Sequence, residues 1–136
     1  MAEDLQKAHP SSLASNIVDV AQLEWISTTF PGIDVKVLFE DPKSGMLTAL
    51  FRWQPGAVLP LHEHVELEQS FVVEGSFEDD EGIVTAGNFV SRPAGSRHTA
   101  RSVTGAVVLA MFLKPNVFLG EDGSAETFEV GAGKTN

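Results

Sequence analysis

The 136-residue sequence predicts a single all-β domain, either a sandwich or a barrel. Three observations predict this class. Apolar residues occur in short runs, Gly, Pro or Asp separates these runs at intervals of about 8–12 residues, and no long helical periodicity follows residue 30. A chain of this length can bury roughly 68% of its unfolded surface, which is enough for a core without disulfides.

The predicted strands follow one another from residue 33. Residues 1–20 form a polar leader, in which residues 4–9 predict one helical turn that ends at Pro10. A single domain is expected over residues 21–119, and residues 120–136 form a Gly- and Ser-rich tail of the kind that is often poorly ordered. The strands are predicted at residues 33–40, 46–54, 58–65, 68–74, 77, 83–84, 89–91, 98–103 and 106–113.

The composition excludes several classes of protein. No cysteine is present, so disulfide frameworks, thiolate metal sites and cysteine nucleophiles are absent. The formal net charge of −10 repels phosphate backbones, so no nucleic-acid partner is expected. No apolar run approaches the ~20 residues of a membrane span, and no secretion signal opens the chain. We therefore expect a cytoplasmic protein with no membrane partner.

Acidic residues are concentrated in the middle of the chain, and most of them should be solvated. Such a run usually forms an exposed face or turn. Glu68 is the exception, because it lies near two histidines. The run consists of Glu63, Glu66, Glu68, Glu74, Glu78, Asp79, Asp80 and Glu81.

Three of the four histidines form a pattern that favours a metal site. His62 and His64 are two apart in a predicted strand, so they project from the same face. Glu68 follows at the start of the next strand, and His98 follows a Pro- and Gly-containing turn. Imidazole and carboxylate together suit Fe, Mn, Ni, Cu or Zn better than Ca or Mg. The fourth histidine, His9, lies in the leader and is expected to be solvated.

Two motifs resemble those of the cupin family. The first, G-x5-H-x-H-x3-E-x6-G, is met at every position from Gly56 to Gly75. The second, G-x5-P-x-G-x2-H-x3-N, is met from Gly87 to His98, but Ser102 replaces its final asparagine. The resemblance implies a double-stranded β-helix, that is, a jelly-roll barrel. It also implies one divalent ion, bound by His62, His64, Glu68 and His98, with Glu68 either coordinating the ion or orienting another ligand.

A finer resemblance concerns residues 37–48, 74–77 and 93–98, which are similar to ChrR-type cupin domains. That group includes the cupin domain of a zinc-binding anti-sigma factor. It is also similar to small iron(II) dioxygenases that cleave β-diketones or hydroxylated acetophenones. The resemblance therefore implies a dioxygenase that acts on a small-molecule substrate with Fe(II) as the favoured metal, while Zn, Mn or Ni remain alternatives. It also implies a homodimer.

Three other functions are alternatives. The same ligands could hold zinc in a non-enzymatic sensor or ligand-binding cupin. Cupin sugar epimerases use a tyrosine acid, and this chain contains no tyrosine, which counts against that function. An empty barrel is disfavoured by the intact ligand set.

The predicted strands also contain candidate pocket residues. Two apolar faces could line the site, and periodicity alone does not choose between them and their opposite faces. Arg97 and Arg101 differ in parity from His98 and should point away from the metal, whereas Arg52 could face the cavity. The three arginines near the second motif (Arg92, Arg97 and Arg101) are expected at the surface. The two faces are Leu47, Ala49, Phe51 and Trp53, and Val107, Leu109, Met111 and Leu113.

Overall fold

The computed structural model describes residues 13–120 and 125–127, which form eleven β-strands and one turn of 3-10 helix at Val20–Gln22. The strands are β1 (Ile26–Ser27), β2 (Ile33–Asp41), β3 (Met46–Trp53), β4 (Val58–Glu63), β5 (Glu68–Asp79), β6 (Gly82–Thr85), β7 (Phe89–Arg92), β8 (Arg97–Arg101), β9 (Ala106–Phe112), β10 (Val117–Leu119) and β11 (Ala125–Thr127).

The strands form one curled antiparallel sheet in the order β1-β2-β3-β9-β5-β8-β4-β10-β11, with β6 and β7 also paired to β5. The long strand β5 connects the two halves of this sheet. Its first part pairs with β7 and β9, and its last part pairs with β6 and β8. This arrangement confirms the predicted all-β cupin architecture and brings β4, β5 and β8, which carry the motif residues, next to one another.

Three register shifts interrupt the part of the sheet that the structure describes, one of them between Val37 and Phe39 of β2, and the two in β4 and β5 change which side chains face inwards near the motif residues. The pairing of β5 with β9 shifts between Val72 and Glu74, and the pairing of β4 with β8 shifts between Leu59 and His62. Because a bulge inserts one extra residue, the inward-facing positions change parity across it. In β5, Ser70 and Val72 are buried before the bulge, and Phe77 and Asp79 are buried after it.

The core lies on the concave side of the sheet. In β3 the buried face is the candidate face, from Leu47 to Trp53. In β9 the proposed apolar face, Val107, Leu109, Met111 and Leu113, is only partly buried or exposed, and the opposite face is the buried one. That buried face consists of Ala106, Val108, Ala110 and Phe112.

Most predicted strands are confirmed, with boundary changes of a few residues. The predictions at 68–74 and 77 belong to the single strand β5, and β1, β10 and β11 were not predicted. β11 lies within the segment assigned to the tail and pairs with β10. The helical turn predicted at residues 4–9 lies outside the described residues. Within the described residues, no helix has the length and apolar character needed to cross a membrane.

Candidate metal centre

Neighbouring strands bring His62, His64 and His98 together. His62 and His98 are cross-strand partners in the β4–β8 pair, and His64 follows the end of β4. The centroids of the three rings are 4.5–5.0 Å apart. His62 and His64 are 1% and 0% exposed, so their imidazoles are removed from solvent.

The turn before β8 fixes His64 against the other two rings. Gly95 adopts φ 88°, a conformation that favours glycine, and its N–H donates to the carbonyl of His64 at 2.7 Å. In return, the N–H of His64 donates to the carbonyl of Ser96 at 2.9 Å. The Pro–x–Gly segment of the second motif therefore aligns the histidines of both motifs.

The Nδ1 atom of each of the three histidines is within hydrogen-bond distance of a protein acceptor. The Nδ1 of His62 lies 2.7 Å from the Pro60 carbonyl, and that of His98 lies 2.6 Å from Oδ2 of Asp79. The Nδ1 of His64 lies 2.9 Å from Oγ of Ser96, whose hydroxyl donates to the Pro93 carbonyl. Since carbonyls and carboxylates accept hydrogen bonds, Nδ1 carries the proton and Nε2 keeps its lone pair.

The three histidines form a group that could hold a metal ion, because one ligand atom from each lies within 4.8 Å of the others. Burial, together with the nearby His98 and His64, lowers the pKa of His62 to about 4. Burial also lowers the pKa of His98, and the Arg92 guanidinium acts in the same direction. Neutral imidazoles are the form that binds metals, so this environment keeps His62 ready to bind at neutral pH.

Glu68 opens β5 beside this cluster, although it is not part of the three-histidine group. Its Oε1 lies 3.0 Å from Nε2 of His64, and its Oε2 accepts a hydrogen bond from Ser70 at 3.1 Å. Burial alone would raise the pKa of Glu68, but the contact with His64, the nearby His62 and the Ser70 hydroxyl outweigh it and lower the pKa.

Two buried atoms in this cluster have no hydrogen-bond partner of acceptable geometry among the described residues: Nε2 of His64 and Oε1 of Glu68. Unpaired buried polar atoms are costly, and a shared cation would satisfy both. The residues present therefore fit a divalent metal, with nitrogen donors from three imidazoles and one carboxylate oxygen at the edge of the cluster.

Asp79 and Arg92 belong to the site but were predicted to be solvated. Asp79 is 6% exposed, and its Oδ2 accepts from Nδ1 of His98 and from the Arg92 guanidinium at 2.7 Å. Burial would raise the pKa of Asp79, but the His98 hydrogen bond, the Glu81 N–H and Arg92 together lower it. The sequence carries no direct signal for this carboxylate, because the β5 bulge changes the parity that places Phe77 and Asp79 on the inner face.

The other candidate arginines lie away from the cluster. Arg97 and Arg101 are exposed and pair with Glu63 and Glu78, which confirms the parity argument. Arg52 does not face the cavity but pairs with Asp34 at 2.9 Å. Ser102, which replaces the motif's asparagine, is fully buried and donates to the backbone carbonyl of Ser76.

An apolar cavity of about 40 Å³ lies next to residues that contact the cluster, although none of the three histidines lines it. Glu68 and Ser70 line it and connect it to the cluster, as does Phe118, whose ring centroid is 5.2 Å from that of His62. Phe118 and Asn116 were not among the predicted site residues, because they follow the last predicted strand. The aromatic lining consists of Phe30, Phe51, Trp53, Phe77, Phe112 and Phe118.

Comparison with solved structures identifies the fold as that of a cupin. A protein proposed to be an acetylacetone dioxygenase, from Methylibium petroleiphilum PM1, is 24% identical with a TM-score of 0.79, and the match covers 92% of this chain and 96% of that one. The acetylacetone dioxygenase from Acinetobacter johnsonii is 20% identical with a TM-score of 0.72, over 93% of this chain and 91% of that one.

Comparison of the sequence with known protein families gives a more specific assignment than the fold does. The model of the ChrR cupin-like domain matches residues 13–116, so the chain belongs to the ChrR cupin-like family. The structure of Rhodobacter sphaeroides SigE in complex with the anti-sigma factor ChrR is 22% identical with a TM-score of 0.59, over 68% of this chain and 50% of that one. No curated protein matches the sequence.

Proposed function

We propose that this protein is a non-haem iron(II)-type dioxygenase that cleaves a small diketone-like compound or a hydroxylated aromatic ketone. His62, His64 and His98 would hold the ion, and Glu68 would supply a fourth donor or orient another ligand. The observation that carries the proposal is a cluster of three imidazoles, each with Nδ1 anchored and Nε2 left free, beside an apolar cavity.

Charge explains why such a site suits this substrate class. Three neutral imidazoles leave a divalent ion with its full charge, and the Glu68 carboxylate would lower the charge of the site only by one. The site would still be positive and would attract a bidentate oxygen ligand such as the enolate of a diketone. When bound, iron(II) supplies Lewis acidity and electrons for the reaction with oxygen. Glu68, held at Oε2 by Ser70, presents Oε1 to the cluster and limits the number of open positions.

The cavity favours a small, largely apolar substrate. Its aromatic and aliphatic walls exclude water from the reacting groups and contact the carbon skeleton. Ala110 from β9 and Ser70 from β5 are small residues that leave space between the larger side chains. A compound with two oxygen functions placed to chelate one ion, and with short apolar ends, matches the chemistry of this lining.

Oxygen uptake tests the proposal. Protein loaded anaerobically with Fe(II) should consume oxygen when acetylacetone or a hydroxylated acetophenone is added, and the Zn(II)-loaded protein should not. Ala110→Val narrows the cavity and should reduce uptake while metal content stays the same. If the Fe(II)-loaded protein consumes no oxygen above background with any compound of either class, the dioxygenase proposal is wrong.

A second candidate is a non-enzymatic zinc-binding sensor. The observation that favours it is the fourth donor, because three imidazoles and the Glu68 carboxylate together would complete a tetrahedral zinc site. In the similar complex, ChrR is an anti-sigma factor bound to SigE. Tight Zn(II) binding combined with absence of substrate-dependent oxygen uptake would favour this function.

A further inference from the structure

We propose that Asp79 is a positioning residue of the metal centre, which holds His98 in the tautomer whose Nε2 is free to bind a metal. This inference rests on the proposed metal site. Its structural basis is the hydrogen bond between Nδ1 of His98 and Oδ2 of Asp79, which is 2.6 Å long. The Asp79 side chain is 2% exposed, so this hydrogen bond is shielded from solvent.

The acceptor positions of Asp79 are fully used. Its Oδ1 accepts the backbone N–H groups of Glu81 and Gly82 at 2.9 Å and 3.2 Å, which shapes the turn between β5 and β6. Its Oδ2 accepts Nη1 of Arg92 at 2.7 Å as well as the His98 ring. The two backbone N–H groups and Arg92 are three donors that leave both carboxylate oxygens as acceptors, so His98 must supply its Nδ1 proton.

Arg92 stabilises the charge that this arrangement requires. Its side chain is 7% exposed and passes over the Phe77 ring, with 5.9 Å between the guanidinium carbon and the ring centroid. Its other carboxylate contact, Glu81 at 3.5 Å, is long, and the Glu81 side chain is 84% exposed. The guanidinium is therefore directed mainly at Asp79, where it keeps the carboxylate in its acceptor-only form.

The strand β5 links two of the three histidines through opposite ends. Glu68, its first residue, contacts Nε2 of His64, and Asp79, its last residue, contacts Nδ1 of His98. Arg92 connects these ends, because its backbone pairs with Glu68 in the sheet while its side chain reaches Asp79. The geometry of the cluster therefore depends on the Asp79–Arg92 ion pair, although neither residue is a metal ligand.

Asp79→Asn makes a specific change at this position. The amide has one acceptor oxygen, which the two backbone N–H groups of the turn require, so the amide nitrogen faces His98 and Arg92. Among the four groups that contact the Asp79 carboxylate, only His98 can present an acceptor in place of a donor, by moving its proton from Nδ1 to Nε2. That tautomer blocks the lone pair that would bind a metal. The neighbouring pair of the partly buried Glu78 and the exposed Arg101 provides the matched control, Glu78→Gln.

The first test is the tautomer of His98 in the metal-free, full-length protein at neutral pH, read from long-range nitrogen–proton NMR correlations of the ring. We expect the Nδ1–H form in the wild type and in Glu78→Gln, and the Nε2–H form in Asp79→Asn. An Nε2–H tautomer in the wild type would overturn the proposal, and that measurement needs no variant to fold.

The second test is the affinity for Zn(II) and Co(II), measured by competition with a chelator. Asp79→Asn should bind each ion about 10- to 100-fold more weakly, Glu78→Gln should bind normally, and Asp79→Glu should recover part of the loss. Equal affinities in the wild type and in folded Asp79→Asn would overturn the positioning role. A wild type with the Nδ1–H tautomer that binds neither ion would instead contradict the proposed metal site.

Discussion

Glu68 lies between the histidine cluster and the apolar cavity, where its carboxylate contacts His64 and also lines the cavity wall. Its Oε1 is buried without a hydrogen-bond partner of acceptable geometry, and a metal would satisfy it. A carboxylate in this position can bind the metal itself or can only contact His64, and a hydrogen bond from Nε2 to Oε1 would keep a proton on the nitrogen that a metal needs. The two roles therefore differ in how metal affinity depends on the charge of Glu68.

Replacement of Glu68 by Gln separates the two roles. The amide keeps the size of the side chain and an oxygen for Ser70, but it removes the charge that a metal ligand uses. We expect affinity for Fe(II) or Zn(II) to fall at least about 10-fold, measured by chelator competition. Glu74→Gln, at an exposed position on the same strand, is the control. Unchanged affinity in Glu68→Gln would show that Glu68 is not a donor.

The low pKa of His62 predicts how acid affects the metal-free protein. Burial lowers this pKa from 6.5 to about 4, so the unfolded chain binds a proton in a pH range where the folded protein does not. The free energy of unfolding is therefore highest above pH 6.5 and falls as the pH drops towards 4, by about 3 kcal/mol from this residue. The lowered pKa of His98 acts in the same direction.

Urea unfolding of chelator-treated protein at several pH values between 4 and 7 measures this dependence. The His62→Gln variant, which has no titrating group at that position, should show a shallower slope over the same range. A wild-type free energy of unfolding that stays constant, or rises, as the pH falls would contradict the buried, neutral state of His62.

At the scale of elements, the long strand β5 depends on a close approach at Gly75. This residue has φ 71°, and a Cβ atom added there would overlap the backbone carbonyl of Gly105. Gly87 has a similar φ of 85° but no heavy atom within 4 Å of such a Cβ. A comparison of Gly75 with Gly87 therefore separates the cost of a left-handed backbone conformation from the cost of a steric clash.

The two alanine variants should differ in stability. Gly87→Ala should lower the free energy of unfolding by about 1–2 kcal/mol, the ordinary cost of a left-handed backbone conformation in a residue with a side chain. Gly75→Ala should lower it by more than about 3 kcal/mol, because the backbones of β5 and the turn before β9 must also separate. Urea unfolding measures both, and equal losses would contradict this packing.

The sequence predicted the strands and the motif histidines, because alternation and turn residues mark them directly. It did not predict the inner face of every strand. Asp79 was assigned to the solvated acidic run because its neighbours are acidic, but the β5 bulge changes parity between Val72 and Phe77 and Asp79 is buried. A bulge inserts one residue without a change in composition, and alternation in a single sequence does not reveal it.

The inner face of β9 was not predicted either, and the physical reason is different. Both faces of this strand are apolar, and the larger residues, such as Leu109 and Met111, lie on the outer face. The inner face carries smaller residues such as Ala106 and Ala110, because the opposing core residues Phe51, Trp53 and Phe77 fill the space. Packing against residues distant in sequence decided this orientation, and hydrophobicity within the strand did not predict it.

For the molecule as a whole, the family, the curled sheet and the three-histidine group agree with one another. Metal binding is the property from which the proposed oxygenase, the alternative sensor and the role of Asp79 all follow. The homodimer that the resemblance implies stays a prediction, and sedimentation of the full-length chain at several concentrations will measure it.

Elemental metal content per chain tests this central claim most directly. We expect about one ion per chain after anaerobic purification with Fe(II) or Zn(II) offered, and none in the His62→Ala, His98→Ala double variant. His9→Ala, which changes the one histidine outside the two motifs, should retain the full content. Wild-type protein that stays free of metal after both ions are offered would contradict the account.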